Sequence, residues 1–125
     1  MIVVDAGVLI GLLDDRDAHH RAALEMLERT PPPYLVHPLT LAEVLVGPAR
    51  VGREAQAWDD LKEIGVEVAA LGPDEPLALA RLRAEHRLKM PDTCVLATAV
   101  HHGCRLATFD RQLAAAAARS GHALD

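Results

Sequence analysis

Hydrophobic positions recur along the chain in two rhythms, and the rhythms alternate. Ile2 to Val4 is a short β-branched run of the kind that makes a buried central strand, and Asp5 ends it. Val8, Leu9, Leu12 and Leu13 then fall at helical spacing, so Asp5 is predicted at a strand-to-helix turn. Asp17 reads as the cap of a second helix carrying Ala18, Arg21, Ala22, Leu24 and Leu27, which closes at Thr30 before Pro31 to Pro33. Tyr34 to Val36 is the next strand. Pro38 to Val46 is helical again, with Leu41, Val44 and Leu45 inward and Gly47-Pro48 as its stop. A more polar helix from Arg53 to Ile64 is built around Trp58 and Leu61, and Gly65 turns the chain into the strand Val66 to Val68. From Pro73 to Leu88 a helix places Leu77, Leu79 and Leu82 on one side; Arg81, Arg83 and Arg87 lie on the other, with Lys89 just beyond.

The stretch from Lys89 to Leu113 organises the rest. Pro91, with its fixed φ, suits the opening of a helix whose residues from Val95 to Val100 are nearly all small or apolar, so this helix is predicted to be buried almost all round. Asp92 then rides in the first turn of a rigid buried rod. Gly103 ends that helix, Arg105 to Thr108 is a short strand, and Asp110 starts a polyalanine helix that reaches Arg119 and stops at Gly121. His122 to Leu124 reads as a brief edge strand. Strands alternating with helices predict right-handed βαβ units: an α/β fold with a parallel sheet covered on both faces. No internal repeat or linker divides residues 1–125, which read as one domain.

Composition narrows the chemistry. A net charge of -5 argues against a protein that holds nucleic acid through its overall field, although four acids gathered at one metal site would account for most of it. Tyr34, Trp58 and Phe109 are the only Phe, Tyr or Trp residues, which disfavours a base-stacking platform and leaves phosphates as the expected handle on any nucleic acid. Cys94 and Cys104 lack metal-site spacing and read as reduced core residues, implying the cytoplasm. No apolar run is long enough to span a membrane and the amino terminus carries no secretory pattern, so a soluble, cytoplasmic protein is expected.

Taken singly, the acids have ordinary explanations. Asp5 and Asp110 are plausible N-caps, Asp92 complements a helix dipole, and Thr40-Leu41-Ala42-Glu43 fits a capping box. Together they are harder to dismiss. Asp5, Asp92 and Asp110 sit at element ends, and Glu43 comes early in the helix after the second strand, so all four can converge at the carboxyl edge of the sheet. Capping does not require convergence, whereas a hard divalent cation does.

The strings VVDAGVLI, LTLAEVL, MPDTCVLATAV and LATFDRQL, with the spacing of Asp5, Glu43, Asp92 and Asp110, resemble a PIN-domain ribonuclease. More narrowly they are similar to the VapC-like toxin half of VapBC toxin-antitoxin pairs. The resemblance covers the whole chain. It implies a three-layer α/β/α domain with a central parallel sheet of four to five strands and hydrolysis of RNA phosphodiester bonds by metal-activated water. Mg²⁺, or Mn²⁺, is the implied cofactor. Asp5, Asp92 and Asp110 are then expected in metal contact, and Glu43 orienting water or holding a second ion. Arg87 and Lys89 would meet phosphate at the rim, while Thr108 and Thr93 would orient a carboxylate or a phosphate. The implied partners are RNA, a cognate VapB-like antitoxin and a second copy of the chain in a homodimer. Trp58, with Leu41, Leu45, Val46 and Leu61, reads either as core or as a groove for the antitoxin helix. The chain departs from the family pattern at Ala6 and Gly7, where a small polar residue usually follows the first acid, so no side chain at those positions supports Asp5.

Other chemistries fit less well. The pairs His19-His20 and His101-His102 point to different helix faces and cannot form an i, i+4 zinc site. Ser120 is the only serine and has no elbow motif around it. A Mg²⁺-binding signalling receiver would need an acid beside Asp5 and a lysine after Lys89, and neither is present. A PIN-like binding module without nuclease activity remains the alternative from a different class.

Overall fold

The structure is a computed structural model and describes residues 1–124. Four parallel strands, β1 (Ile2–Val4), β2 (Tyr34–Val36), β3 (Val66–Val68) and β4 (Arg105–Ala107), lie in the order β3-β2-β1-β4. Their register is in step. Ile2 pairs with Tyr34 and Arg105, Tyr34 with Val66, Val4 with Ala107 and Val36 with Val68, so all four carboxyl ends meet one edge. The chain moves outward from β1 to β3 and then crosses back to β4, which puts the topological switch between β1 and β4, where a ligand crevice is expected in such a sheet.

Residue alternation along the strands divides the core between the two faces. Ile2, Val4, Tyr34, Val36, Val66 and Ala107 pack with apolar residues of α1 (Ala6–Leu13), α2 (His20–Glu28), α3 (Pro38–Ala49) and α4 (Glu54–Glu63). Val3, Leu35 and Leu106 face the other way, against α6 (Met90–His102) and α7 (Arg111–Arg119). The result is the expected three-layer α/β/α arrangement. A right-handed crossover explains the asymmetry, because outward connections cover one face and the return crossover covers the other.

Helix α6 is the centre of that second layer. Thr93 through Ala99 are all buried, and the helix packs against α3, α5 (Glu75–His86), α7 and strands β1, β2 and β4. Its two buried threonines hydrogen-bond backward within the helix, Thr93 Oγ1 to the Lys89 carbonyl and Thr98 Oγ1 to the Cys94 carbonyl, both at 2.8 Å, so neither hydroxyl is orphaned. Gly103 closes the helix at φ 63°, ψ 35°, a conformation that costs a residue with a Cβ but not glycine. Cys94 and Cys104 are buried and free.

Three sequence expectations change, at Asp17, at Pro48 and at His122–Leu124. Asp17 does not cap α2; its Oδ1 accepts from the His19 amide at 2.8 Å in a turn, and the helix starts at His20. Helix α3 runs through Pro48 to Ala49. A proline in the last turn removes only one helical hydrogen bond, and the Arg50 amide still reaches the Val46 and Gly47 carbonyls. Helix α5 buries no residue: Leu77 is 56% exposed, and Leu82 is its contribution to the core. The expected strand His122–Leu124 is a single parallel bridge, Leu106 with Ala123, at the β4 edge.

Because α6 is enclosed, its apolar side chains set the stability of the layer. Leu96→Ala is expected to cost about 2–5 kcal/mol in urea unfolding. Val100→Ala, at a position 42% exposed, should stay within about 1 kcal/mol.

Candidate active site

The acids are brought together by the strand ends. Asp5 leaves β1 with its amide bonded to the Ala107 carbonyl at 3.0 Å, which locks the turn against the end of β4. Its side chain caps α1: Oδ1 accepts from the Ala6 amide at 2.8 Å. Oδ2 accepts from Thr108 Oγ1 at 2.6 Å, and that same hydroxyl oxygen accepts from the Asp110 amide at 3.0 Å. Asp110 in turn caps α7, Oδ1 accepting from the Leu113 amide at 2.9 Å. One hydroxyl therefore ties the first acid to the last. Its single proton goes to Asp5, so the Asp5 support absent at Ala6 and Gly7 comes from the opposite strand. Thr93, by contrast, makes only its bond within α6.

Asp92 enters from the other layer, in the first turn of α6 behind Lys89 and Pro91. Burial raises the pKa of its carboxyl above the ordinary range; the negative charges of Asp5 and Asp110 push the same way, Lys89 opposes them, and Glu43 adds to the rise. The Asp5 carboxyl is also raised, first by burial; bonds from Thr108 and Ala6 pull it down and Asp110 pushes it up. Each acid is thus within electrostatic reach of others from different elements. Glu43, exposed in the second turn of α3, acts on Asp92 and also on the Cys94 thiol, which burial, Glu75 and Glu43 push up.

The gathering is loose. Among the described residues, no three His, Cys, Asp or Glu side chains are arranged to hold a metal ion. The donor chemistry nevertheless fits a hard dication: the groups are carboxylates, and they repel one another. Mg²⁺ keeps several waters and needs only one or two direct carboxylates, so a closed cage is not required.

Thr40 does not open a capping box with Glu43, because α3 starts at Pro38 and its cap is His37. Thr40 lies within the first turn, 1% exposed, and its hydroxyl has no hydrogen-bond partner. His37 Nδ1 accepts from the Leu39 amide at 3.0 Å, which leaves the ring proton on Nε2 to donate to Glu75 Oε1 at 2.8 Å. This clamp joins the starts of α3 and α5. Nothing in the sequence pairs positions 37 and 75; the available signal was a histidine directly after a strand and before a helix-opening proline.

The basic residues separate. Lys89 acts on Asp92, whereas Arg87 is exposed at the α5–α6 corner beside Arg83, Leu88 and Met90. Arg87 holds φ 54°, ψ 36°, a left-handed conformation usually left to glycine. Of the apolar groove residues, Leu41 and Leu61 are buried core and Trp58 and Leu45 pack partly against it; Val46 is exposed. A ring pair escaped the aromatic count: His19 stacks on Phe109 with centroids 4.5 Å apart and planes 12° from parallel.

Comparison with known proteins agrees with the architecture. Among curated proteins, nothing matches the chain. A toxin-antitoxin complex from Klebsiella pneumoniae has 30% identity and a TM-score of 0.77, with 88% of this chain and 87% of that one covered. Mycobacterium tuberculosis VapC20, a Sarcin-Ricin loop cleaving toxin, shares the fold at 20% identity and a TM-score of 0.77, covering 93% of this chain and 95% of its own. VapBC2 from Rickettsia felis, bound to a promoter DNA fragment, gives 16% identity and a TM-score of 0.63, with 88% of each chain covered. The profile of the PIN domain matches residues 2–119. A match over nearly the whole length, to a family whose fold this chain displays, makes the chain a member of the PIN domain family.

Proposed function

We propose that this PIN domain is the toxin of a toxin-antitoxin pair and acts as a Mg²⁺-dependent endoribonuclease, with Mn²⁺ as a substitute. The observation that carries the reading is that carboxylates from three different helix starts, Asp5, Asp92 and Asp110, share one field at the sheet edge with Glu43 beside them. Asp5, Asp92 and Asp110 are the proposed metal ligands, and Glu43 orients the attacking water. Thr108 holds Asp5 in place. Lys89 draws the phosphate toward the acids, and Arg87 extends that rim. A divalent cation held there by Asp5, Asp92 and Asp110 would polarise the phosphodiester and lower the pKa of an attacking water. The likeness to a toxin-antitoxin complex at 30% identity supports the partner. The exposed apolar residues Leu13 and Val51, with Pro48 of α3, line a groove that is its proposed seat, and Val46 is exposed on the same helix. A homodimer and a cytoplasmic location belong to the same reading; no helix among the described residues is long and apolar enough to cross a membrane.

The looseness of the acid cluster favours the second reading, a PIN module that binds without cleaving. Purified wild type, Asp5→Asn and Asp92→Asn decide between them on a panel of cellular RNAs with end mapping. The nuclease reading expects Mg²⁺-dependent cleavage by the wild type, abolished by EDTA and reduced by at least about 100-fold in each variant. Equal activity in all three proteins overturns the site, and no cleavage by any of them favours the binding module. In cells, expression alone should arrest growth and co-expression of the adjacent reading frame should relieve it; arrest that persists counts against the toxin.

Stability gives a test independent of turnover. A carboxyl whose pKa is raised by folding favours the protonated native state, so its stabilising effect is complete below the unfolded pKa and disappears as pH rises through the folded one. At neutral pH the charged Asp92 therefore weakens the fold. Asp92→Asn should melt higher than wild type at pH 7, with the gap closing as pH falls below the ordinary carboxylate range. Mg²⁺ should raise the wild-type Tm more than that of the variant.

A further inference from the structure

A stacking surface stands beside the acids, and it rests on a ring that an aromatic count leaves out. Phe109 sits between Thr108, which holds Asp5, and Asp110. Its side chain packs partly into the core. The imidazole of His19 lies flat on it, with the 4.5 Å centroid separation and 12° interplanar angle of an offset-stacked pair.

The backbone under His19 is held on both sides. Its amide bonds to Asp17 Oδ1 at 2.8 Å, and its carbonyl accepts from the Ala23 amide at 2.8 Å. That carbonyl lies where a Cβ on Gly11 would be only 3.3 Å away, so the glycine lets the loop approach α1 closely. Neighbouring His20 anchors the same loop through Nδ1 and the Gly11 carbonyl at 2.7 Å. The side chain of His19 is nonetheless 58% exposed. One face lies against Phe109 and Nδ1 stands 3.8 Å from Asp17 Oδ1, which leaves the opposite face to account for that exposure. A flat ring, backed by a second ring and fixed at its base, is pre-organised to receive a third.

We propose that His19, backed by Phe109, stacks an unpaired nucleobase next to the phosphodiester held at the acid edge. The inference rests on the nuclease reading. RNA is favoured over a protein aromatic because the platform is continuous with the phosphate-directed edge through Thr108 and Asp110. Stacking also supplies sequence-tolerant affinity that a chain of net charge -5 does not obtain from its field.

The test compares wild type, His19→Ala and His19→Phe on a single-stranded RNA carrying 2-aminopurine beside the mapped cleavage position. Binding is read by fluorescence in Ca²⁺, and steady-state cleavage in Mg²⁺. Contact with a flanking base is shared by ground and transition states, so His19→Ala should raise KM and the Ca²⁺ dissociation constant by about 5- to 100-fold with kcat little changed. The 2-aminopurine quenching should disappear, His19→Phe should restore it, and both variants should melt within a few degrees of wild type. If the wild type cleaves this RNA and His19→Ala matches it in KM and quenching, the platform is overturned and the nuclease stands. The platform is also overturned if His19→Phe fails to rescue, or if the loss follows a fall in Tm. A wild type that neither binds nor cleaves RNA overturns both readings together.

Discussion

Like charges gather only when something stronger holds them, and here the stronger force is burial around α6. Seven consecutive buried residues, Thr93 to Ala99, commit that helix to the sheet, and Asp92 is carried into its position as a passenger on the first turn. From the central sheet, β1 and β4 deliver Asp5 and Asp110 because their register ends level. The raised carboxyls of Asp5 and Asp92 show what the arrangement costs: each charge is partly desolvated and faces another of the same sign. The fold spends part of its hydrophobic stability on keeping them there. Functional sites are where such local conflict is tolerated.

Much of this was legible in the sequence because the relevant signals are local. Ile2–Val4 and Tyr34–Val36 read as strands from β-branched or apolar runs, Asp5 and Asp110 read as element starts, and Pro91 with Gly103 bracketed α6 to within a residue. Alternation of strands and helices then gave the parallel sheet and its layers through handedness alone. That Asp5, Asp92 and Asp110 lie within electrostatic reach of one another follows from which edge each element end reaches.

What could not be read depends on distance along the chain. Thr108 is expected to orient a carboxylate or a phosphate and does, but it lies 103 residues from Asp5 and no periodicity says that Asp5 is the acid it holds. His37 and Glu75 are 38 apart and meet because α3 and α5 start at neighbouring strand ends. Capping signals mislead where two rules compete: Thr40 and Glu43 match a box, but Pro38 already satisfies the first helical position and His37 supplies the acceptor. Helix α5 marks a related limit, since leucines at helical spacing say that a face exists, not that anything covers it. The His19–Phe109 pair lay outside an inventory of Phe, Tyr and Trp because imidazole stacks without being counted among them.

The Thr108 tie also sets an order of assembly. A chain emerging from the ribosome amino end first has β1, β2, β3 and Asp92 before it has β4, Thr108 or Asp110. Until the last strand docks beside β1, Asp5 has no hydroxyl to orient it and the crevice has no second wall. The bond that orients Asp5 therefore forms only in the step that completes the sheet, so local order at the first acid depends on the last strand to arrive.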